Sequence, residues 1–127
     1  MSLQEAVKQF NEREFYACHD TLEALWMEAS EPDKTFYQGV LQVAVGCYHL
    51  SHNNWRGALV LWGEGIRKLV DYEPSYYDLD ITTLTDCTYQ LLEHLQQIDP
   101  TQTQHFYHQL LTNDFSLSLP SLGRVIN

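Results

Sequence analysis

Residues 36–50 read FYQGVLQVAVGCYHL, and the fold turns on them. Set on a helix at 100° per residue, Val40, Leu41, Val43, Ala44, Gly46, Cys47 and Leu50 cover almost every direction. A helix that is apolar all round is a buried helix, so this stretch is expected to run through the middle of a helical domain. One narrow line differs. With Gln38 at zero, Gln42 falls near 40°, Val45 near −20° and His49 near 20°. The run is fifteen residues long and is interrupted by Gln38, Gln42 and His49. It therefore falls short of the ~20 apolar residues that a membrane crossing needs.

Outward from this helix the period stays helical, and no stretch alternates like a strand. Upstream, a short first helix is expected from Leu3 to Phe10, a turn from Asn11, and a second helix from about Arg13 to Ala29. Glu31-Pro32-Asp33 separates it from the third helix, Lys34 to Ser51, because proline disfavours helix in the residue before it. Downstream, His52-Asn53-Asn54 makes a tight turn with Asn54 as N-cap. The fourth helix runs to about Val70, with Arg67 and Lys68 at the favourable end of its dipole. Asp71 to Leu79, with Pro74 and three tyrosines, is the longest irregular connection. Asp80 caps a fifth helix striped by Ile81, Leu84, Leu91, Leu95 and Ile98, and Asp99-Pro100 opens a sixth that ends near Leu111.

The expected fold is all-α: a compact bundle of about five or six helices built on two antiparallel helical hairpins. Residues 1–111 form the domain, and residues 112–127 an extended C-terminal tail. Leu117, Leu119, Leu122, Val125 and Ile126 suit that tail to docking on its own bundle or on a neighbour. Phe15-x-x-Cys18 and Trp55-x-x-Ala58 open the second and fourth helices alike, an aromatic followed by a small residue that lets helices approach. Tetratricopeptide-type pairs use the same device, but two pairs fall short of the three a solenoid needs.

Composition narrows the function. The chain has 127 residues, one domain by length, with 7 Lys+Arg against 17 Asp+Glu and a net charge of −10. Nucleic acid and anionic membranes both need a basic face, so neither is an expected partner. Cys18, Cys47 and Cys87 lie far apart with no CxxC, which is neither a disulfide framework nor a zinc ribbon. They fall on apolar helix faces, where a free thiol is a small hydrophobe. A reducing, cytoplasmic location follows, and Met1 to Glu5 has neither the basic start nor the apolar run of a signal peptide.

The candidate site grows from the polar line. On the second helix, with His19 at zero, Phe15 lies near −40°, Leu22 near −60°, Trp26 near −20° and Glu23 about +40°. His19 thus sits inside the apolar stripe and Glu23 on its edge. Buried amides, imidazoles and carboxylates cost several kcal/mol unless hydrogen-bonded, so His19, Glu23, Gln42 and His49 are expected to share one pocket across the hairpin. Two readings stay open. One is a satisfied core network; the other is a small site with His19, Glu23 and His49 as metal ligands or an acid–base pair. The sequence requires no cofactor, though a divalent metal fits the second reading. Three ligands at most would leave it needing water or another chain, and the ExxH repeat of di-iron bundles and HExxH are both absent. Arg56, the one basic residue in an apolar neighbourhood, is expected to pair with Glu14 or Glu23. Trp26, Trp55 and Trp62 are expected as core anchors.

Phe10-Asn11, Phe15-Tyr16-x-Cys18-His19-x-x-Leu22-Glu23-x-x-Trp26, Phe36-x-Gln38-Gly39-x-x-Gln42-x-Ala44, His49, Asn54-x-Arg56-Gly57-Ala58, Tyr72-x-Pro74 and Asp80 follow one another at set spacing. In that order they resemble the small all-helical family catalogued as domain of unknown function 309, over about residues 5 to 82. The resemblance implies an all-α bundle and a family without an established activity. It places motif positions at His19, Glu23, Trp26, Gln38, Gly39, Gln42, His49, Asn54, Gly57 and Ala58. Cys18 stands where an alanine-like residue is usual, and Asp78 where a glycine often precedes the Leu-Asp pair. Two functions are carried forward: a non-enzymatic helical binding or assembly module, meeting a protein partner or a second copy, and a metal-dependent or acid–base hydrolase-like enzyme.

Overall fold

The chain is described by a computed structural model covering residues 1–112 and 116–125. Six α-helices follow in order: α1 Leu3–Asn11, α2 Phe15–Glu28, α3 Asp33–Ser51, α4 Trp55–Leu69, α5 Ile81–Gln97 and α6 Thr103–Thr112. Each of the first four packs on the next, and α6 returns against α3. The all-helical bundle expected from the sequence is the fold the chain adopts.

Helix ends lie where the capping chemistry puts them. The Asn54 side chain accepts from the Gly57 N–H at 2.9 Å, and Asp80 accepts from the Thr83 N–H at 3.0 Å. Asp99 caps a short 3-10 turn, Pro100–Gln102, that leads into α6. Arg13 takes a φ of 66°, so it ends α1 in the left-handed conformation and α2 opens at Phe15 rather than at Arg13. Asn53, at a φ of 59°, turns α3 into α4.

The α3–α4 contact is the tightest in the core. A Cβ on Gly46 would stand 2.3 Å from Cδ1 of the fully buried Trp62, and one on Gly39 would stand 2.8 Å from Cγ of Leu69. A Cβ on Gly65 would meet the Gly39 carbonyl oxygen at 3.0 Å. These glycines let two backbones approach closer than any side chain allows. α3 is not buried on every side, however. Val40, Val43, Ala44, Cys47 and Leu50 are buried, but Gln38, Leu41, Val45, Tyr48 and His49 stay partly open along one edge.

The expectation of no strand is corrected on a small scale. Ser75–Tyr76 (β1) and Leu79–Asp80 (β2) pair antiparallel. Tyr77 and Asp78, at φ of 50° and 60°, form the turn between them, both left-handed as a tight hairpin requires. Asp78, noted as a departure where glycine is usual, does take the left-handed conformation. Two-residue strands are too short to leave an alternating pattern. Tyr76 and Tyr77 both donate their hydroxyls to the Asp33 carboxylate, and the Phe36 ring packs among Tyr37, Tyr72, Tyr76 and Tyr77.

The described part of the tail docks on its own bundle. Arg124 bridges Leu79, and the Asp80 and Val125 N–H groups donate to the Gly123 and Asp78 carbonyls at 2.8 Å. Asn11 exchanges two hydrogen bonds with Leu122, at 2.9 and 2.7 Å. Arg13 donates to the carbonyls of Pro120 and Leu119. Leu119 and Leu122 are buried, and Val125 is exposed; Ile126, also expected to dock, lies outside the described residues. No helix among the described residues is long and apolar enough to cross a membrane.

Candidate functional site

An open groove runs between α2 and α3. Its first hollow, about 130 Å³, is lined by Phe15, Tyr16, His19, Val45, Tyr48 and His49. Its second, about 190 Å³, is lined by His19, Glu23, Trp26, Gln38 and Leu41. His19 belongs to both. The antiparallel hairpin thus brings His19 and His49 to one hollow and His19, Glu23, Trp26 and Gln38 to the other.

Each imidazole is held by its neighbours. His49 Nδ1 lies 3.2 Å from Nδ2 of Asn54; the amide N–H can only donate, so Nδ1 accepts and the ring proton sits on Nε2. A Cβ on Gly57 would stand 2.7 Å from Cγ of His49, so the absence of a side chain there makes room for the ring. Burial, and then the charge of nearby His52, push the His49 pKa below its ordinary value. His19 Nε2 lies 3.3 Å from Glu23 Oε2, and its Nδ1 3.2 Å from Asp20 Oδ1. A neutral ring satisfies one of these carboxylates and only the imidazolium satisfies both. Lys34 Nζ stands 4.2 Å from the centroid of the Trp26 ring and donates to the Trp26 carbonyl at 2.9 Å, which fixes the indole.

Several expectations are corrected. His19 and Glu23 are not core residues: their side chains are 32% and 49% exposed. The edge of the apolar stripe faces the groove, not the bundle centre. Gln42 is buried but does not join them; it donates to Glu64 Oε2 and accepts from Lys68 Nζ, both at 3.0 Å on α4. Its offset of about 40° from Gln38 carries it around α3 to the α4 side, so α3, lying between two helices, splits the polar line. Arg56 is exposed and takes part in no ion pair among the described residues, so it pairs with neither Glu14 nor Glu23. Of the tryptophans only Trp62 is fully buried. Trp55 is partly buried with its indole N–H on the Leu95 carbonyl, and Trp26 walls the groove. Ala58 is buried in the core. Among the described residues no group of three or more His, Cys, Asp or Glu could hold a metal ion. His19, Glu23 and His49 are therefore not a preformed ligand set.

Other site residues escaped the sequence reading. Tyr16, 62% exposed, packs on Tyr48 at 5.7 Å and on His19 at 6.0 Å between ring centroids. On the helical wheel it lies about +60° from His19, on the same edge as Glu23, and that angle was the available signal. Lys34 on Trp26 and the Gln42–Glu64–Lys68 chain left none, because each depends on which helices become neighbours. Burial pushes the Cys18 and Cys47 thiols up to about 12 and raises Cys87.

Comparison with known proteins agrees with the motifs. Residues 3–61 match the model described as Domain of unknown function (DUF309). That span takes in His19 through Ala58, while Tyr72, Pro74 and Asp80 lie beyond it. The chain is similar to an uncharacterized protein, YpuF of Bacillus subtilis (strain 168), at 33% identity over 70 residues, 54% of this chain. It spans 40% of that relative's length. No solved structure matches it. The family that its motifs resemble is the family it matches, DUF309, over residues 3–61.

Proposed function

We propose that the chain is a non-enzymatic protein-binding module whose recognition surface is the α2–α3 groove. The observation that carries this is a groove left open while its side chains are held: His49 by Asn54, His19 by Glu23 and Asp20, Trp26 by Lys34. Side chains fixed before a partner arrives lose less entropy on binding. The tail, the other candidate recognition arm, is already engaged by Asn11 and Arg13. In this reading residues 1–111 are the binding domain and residues 112–127 its tail, whose described residues 119–125 strap across it. The helix pairs are tetratricopeptide-like in that α2 and α4 both open on an aromatic with a buried small residue three positions on, Cys18 and Ala58. Stacked helix pairs commonly present such surfaces to partners. The module works in a reducing, cytoplasmic setting, in keeping with three free thiols, and its acidity directs it away from nucleic acid.

The test is site-specific photo-crosslinking in living cells. A photoreactive residue replaces Tyr16 in the groove or, as control, Val60 on α4, which is 46% exposed. The expected result is a discrete adduct at Tyr16, absent at Val60, that the purified partner reproduces. Identical patterns at both positions, or none at Tyr16, would sink the reading.

A further inference from the structure

The two hollows differ in kind. The first is walled by Phe15, Tyr16, Val45 and Tyr48, with an imidazole at each side. At about 130 Å³ it holds roughly four water-sized groups of ~30 Å³ each, the bulk of one Leu, Met or Phe side chain. The second has Glu23 in its lining, with Trp26, Gln38 and Leu41. The α2 residues that line the two hollows, Phe15, Tyr16 and His19 for the first and His19, Glu23 and Trp26 for the second, have mean positions about 9 Å apart along the helix at 1.5 Å per residue.

Among the described residues Glu23 and Asp20 have no ion-pair partner but the His19 ring. Glu23 and Asp20 face the two nitrogens of one imidazole, which carries at most one positive charge. The nearest lysine by sequence on α3, Lys34, sends its ammonium to the Trp26 carbonyl and ring instead. Lys68 reaches Gln42 on the α4 side of α3 and Arg13 donates to the tail carbonyls, and neither lines the two hollows. The depression that adjoins the first hollow is lined by Glu14 together with Arg13 and so adds no net charge of its own. With a net charge of −10 over the chain, the field at the groove favours an arriving cation.

We infer that the groove takes a cationic amphipathic peptide segment of a partner protein, with a Leu, Met or Phe side chain in the first hollow and a Lys or Arg about 9 Å away beside Glu23. This rests on the reading of the groove as the recognition surface. The apolar side chain supplies affinity by leaving water. The cation selects the partner, and an acidic segment is repelled.

A displayed library of random 12-residue peptides, selected on the full-length protein, tests it. The winners are then measured against Glu23→Lys and Tyr16→Ala; both sites are exposed, so both variants keep the fold. The expected winners pair a large apolar residue with Lys or Arg, bind Glu23→Lys at least tenfold more weakly, and are weakened by Tyr16→Ala. Failure to enrich any sequence overturns the inference, as do acidic or uncharged winners. Winners that lose binding to Tyr16→Ala yet ignore Glu23→Lys overturn the cationic class and leave the groove standing as the recognition surface. Winners indifferent to both variants overturn the groove as well.

Discussion

α3 has two neighbours in the hairpin stack, and the two interfaces are built on opposite plans. Toward α4 it presents Gly39, Val43 and Gly46, so the backbones meet with Trp62 and Leu69 laid directly on the glycines. Toward the outer edge of α2 it presents Gln38, Leu41, Val45, Tyr48 and His49, against Tyr16, His19, Glu23 and Trp26. Interhelical distance follows the side chains at the contact. Small residues therefore close one face, and large, partly polar ones hold a groove open on the other. The residues that carry the resemblance fall on both faces: Gly39 and Gln42 serve the closed one, His19, Glu23, Trp26, Gln38 and His49 the open one. A motif residue in this chain is thus no single kind of evidence.

The sharpest way to break the comparison is to truncate one tryptophan on each face. Trp62→Ala, at a fully buried position, should cost about 3–5 kcal/mol, whereas Trp26→Ala should cost less than about 1 kcal/mol because its site is already open. Urea unfolding of the two variants decides it, and equal losses would erase the distinction between the faces.

Next in size is the glycine contact. Gly46→Ala sets a Cβ 2.3 Å from the Trp62 ring and should cost about 1–3 kcal/mol through overpacking. Gly63→Ala, with nothing within 4 Å of its Cβ, should gain about 0.5–1 kcal/mol from helix propensity. Thermal melts that rank the two the other way would remove the close approach as the organising feature of the α3–α4 face.

The polar groups sharpen it further. Gln42→Ala leaves Glu64 and Lys68 facing each other without the amide that joins them, at an expected cost of about 1 kcal/mol. His19→Ala removes part-exposed contacts to Glu23, Asp20 and the Tyr16 ring and should change stability by less than about 1 kcal/mol. A larger loss for His19→Ala than for Gln42→Ala in denaturant titrations would return His19 to the core.

The smallest effect is a titration. Burial and the neighbouring His52 hold the His49 pKa below 6.5, so the folded protein binds that proton less readily than the unfolded chain. The His49 contribution to stability is therefore complete above about pH 6.5 and declines as pH falls below it. Imidazole resonances followed by NMR should give His49 a midpoint below 6.5, and Asn54→Asp, which places a carboxylate beside Nδ1, should raise it. A wild-type midpoint at or above 6.5 would mean that the open face does not desolvate its own histidine.

Much of the fold was legible because local rules act within a turn or two. Asn54, Asp80 and Asp99 cap where short side chains reach backbone N–H groups three residues on or fewer. Hydrophobic period placed every helix within a few residues. The β-hairpin was not legible, since Ser75–Tyr76 and Leu79–Asp80 are too short to carry a period. Nor was the course of the tail: Asn11 and Arg13 hold backbone carbonyls more than a hundred residues away, and a carbonyl belongs to every residue type alike.

The candidate site was legible by residue but not by arrangement. Sequence alone determined that α3 is mostly buried, that Gln38, Gln42 and His49 lie along one line of it, and that His19 and Glu23 share an edge of α2, because helical geometry fixes angles along one helix. Only the tertiary structure decided that Gln42 turns to Glu64 and Lys68 while His19, Glu23 and His49 open toward solvent. An angle on one helix names a direction, and what lies in that direction is set by how closely the neighbouring helices approach. Here Gly39, Gly46 and Gly65 draw α4 against one face of α3, while the aromatic and polar side chains between α2 and α3 leave the other face open.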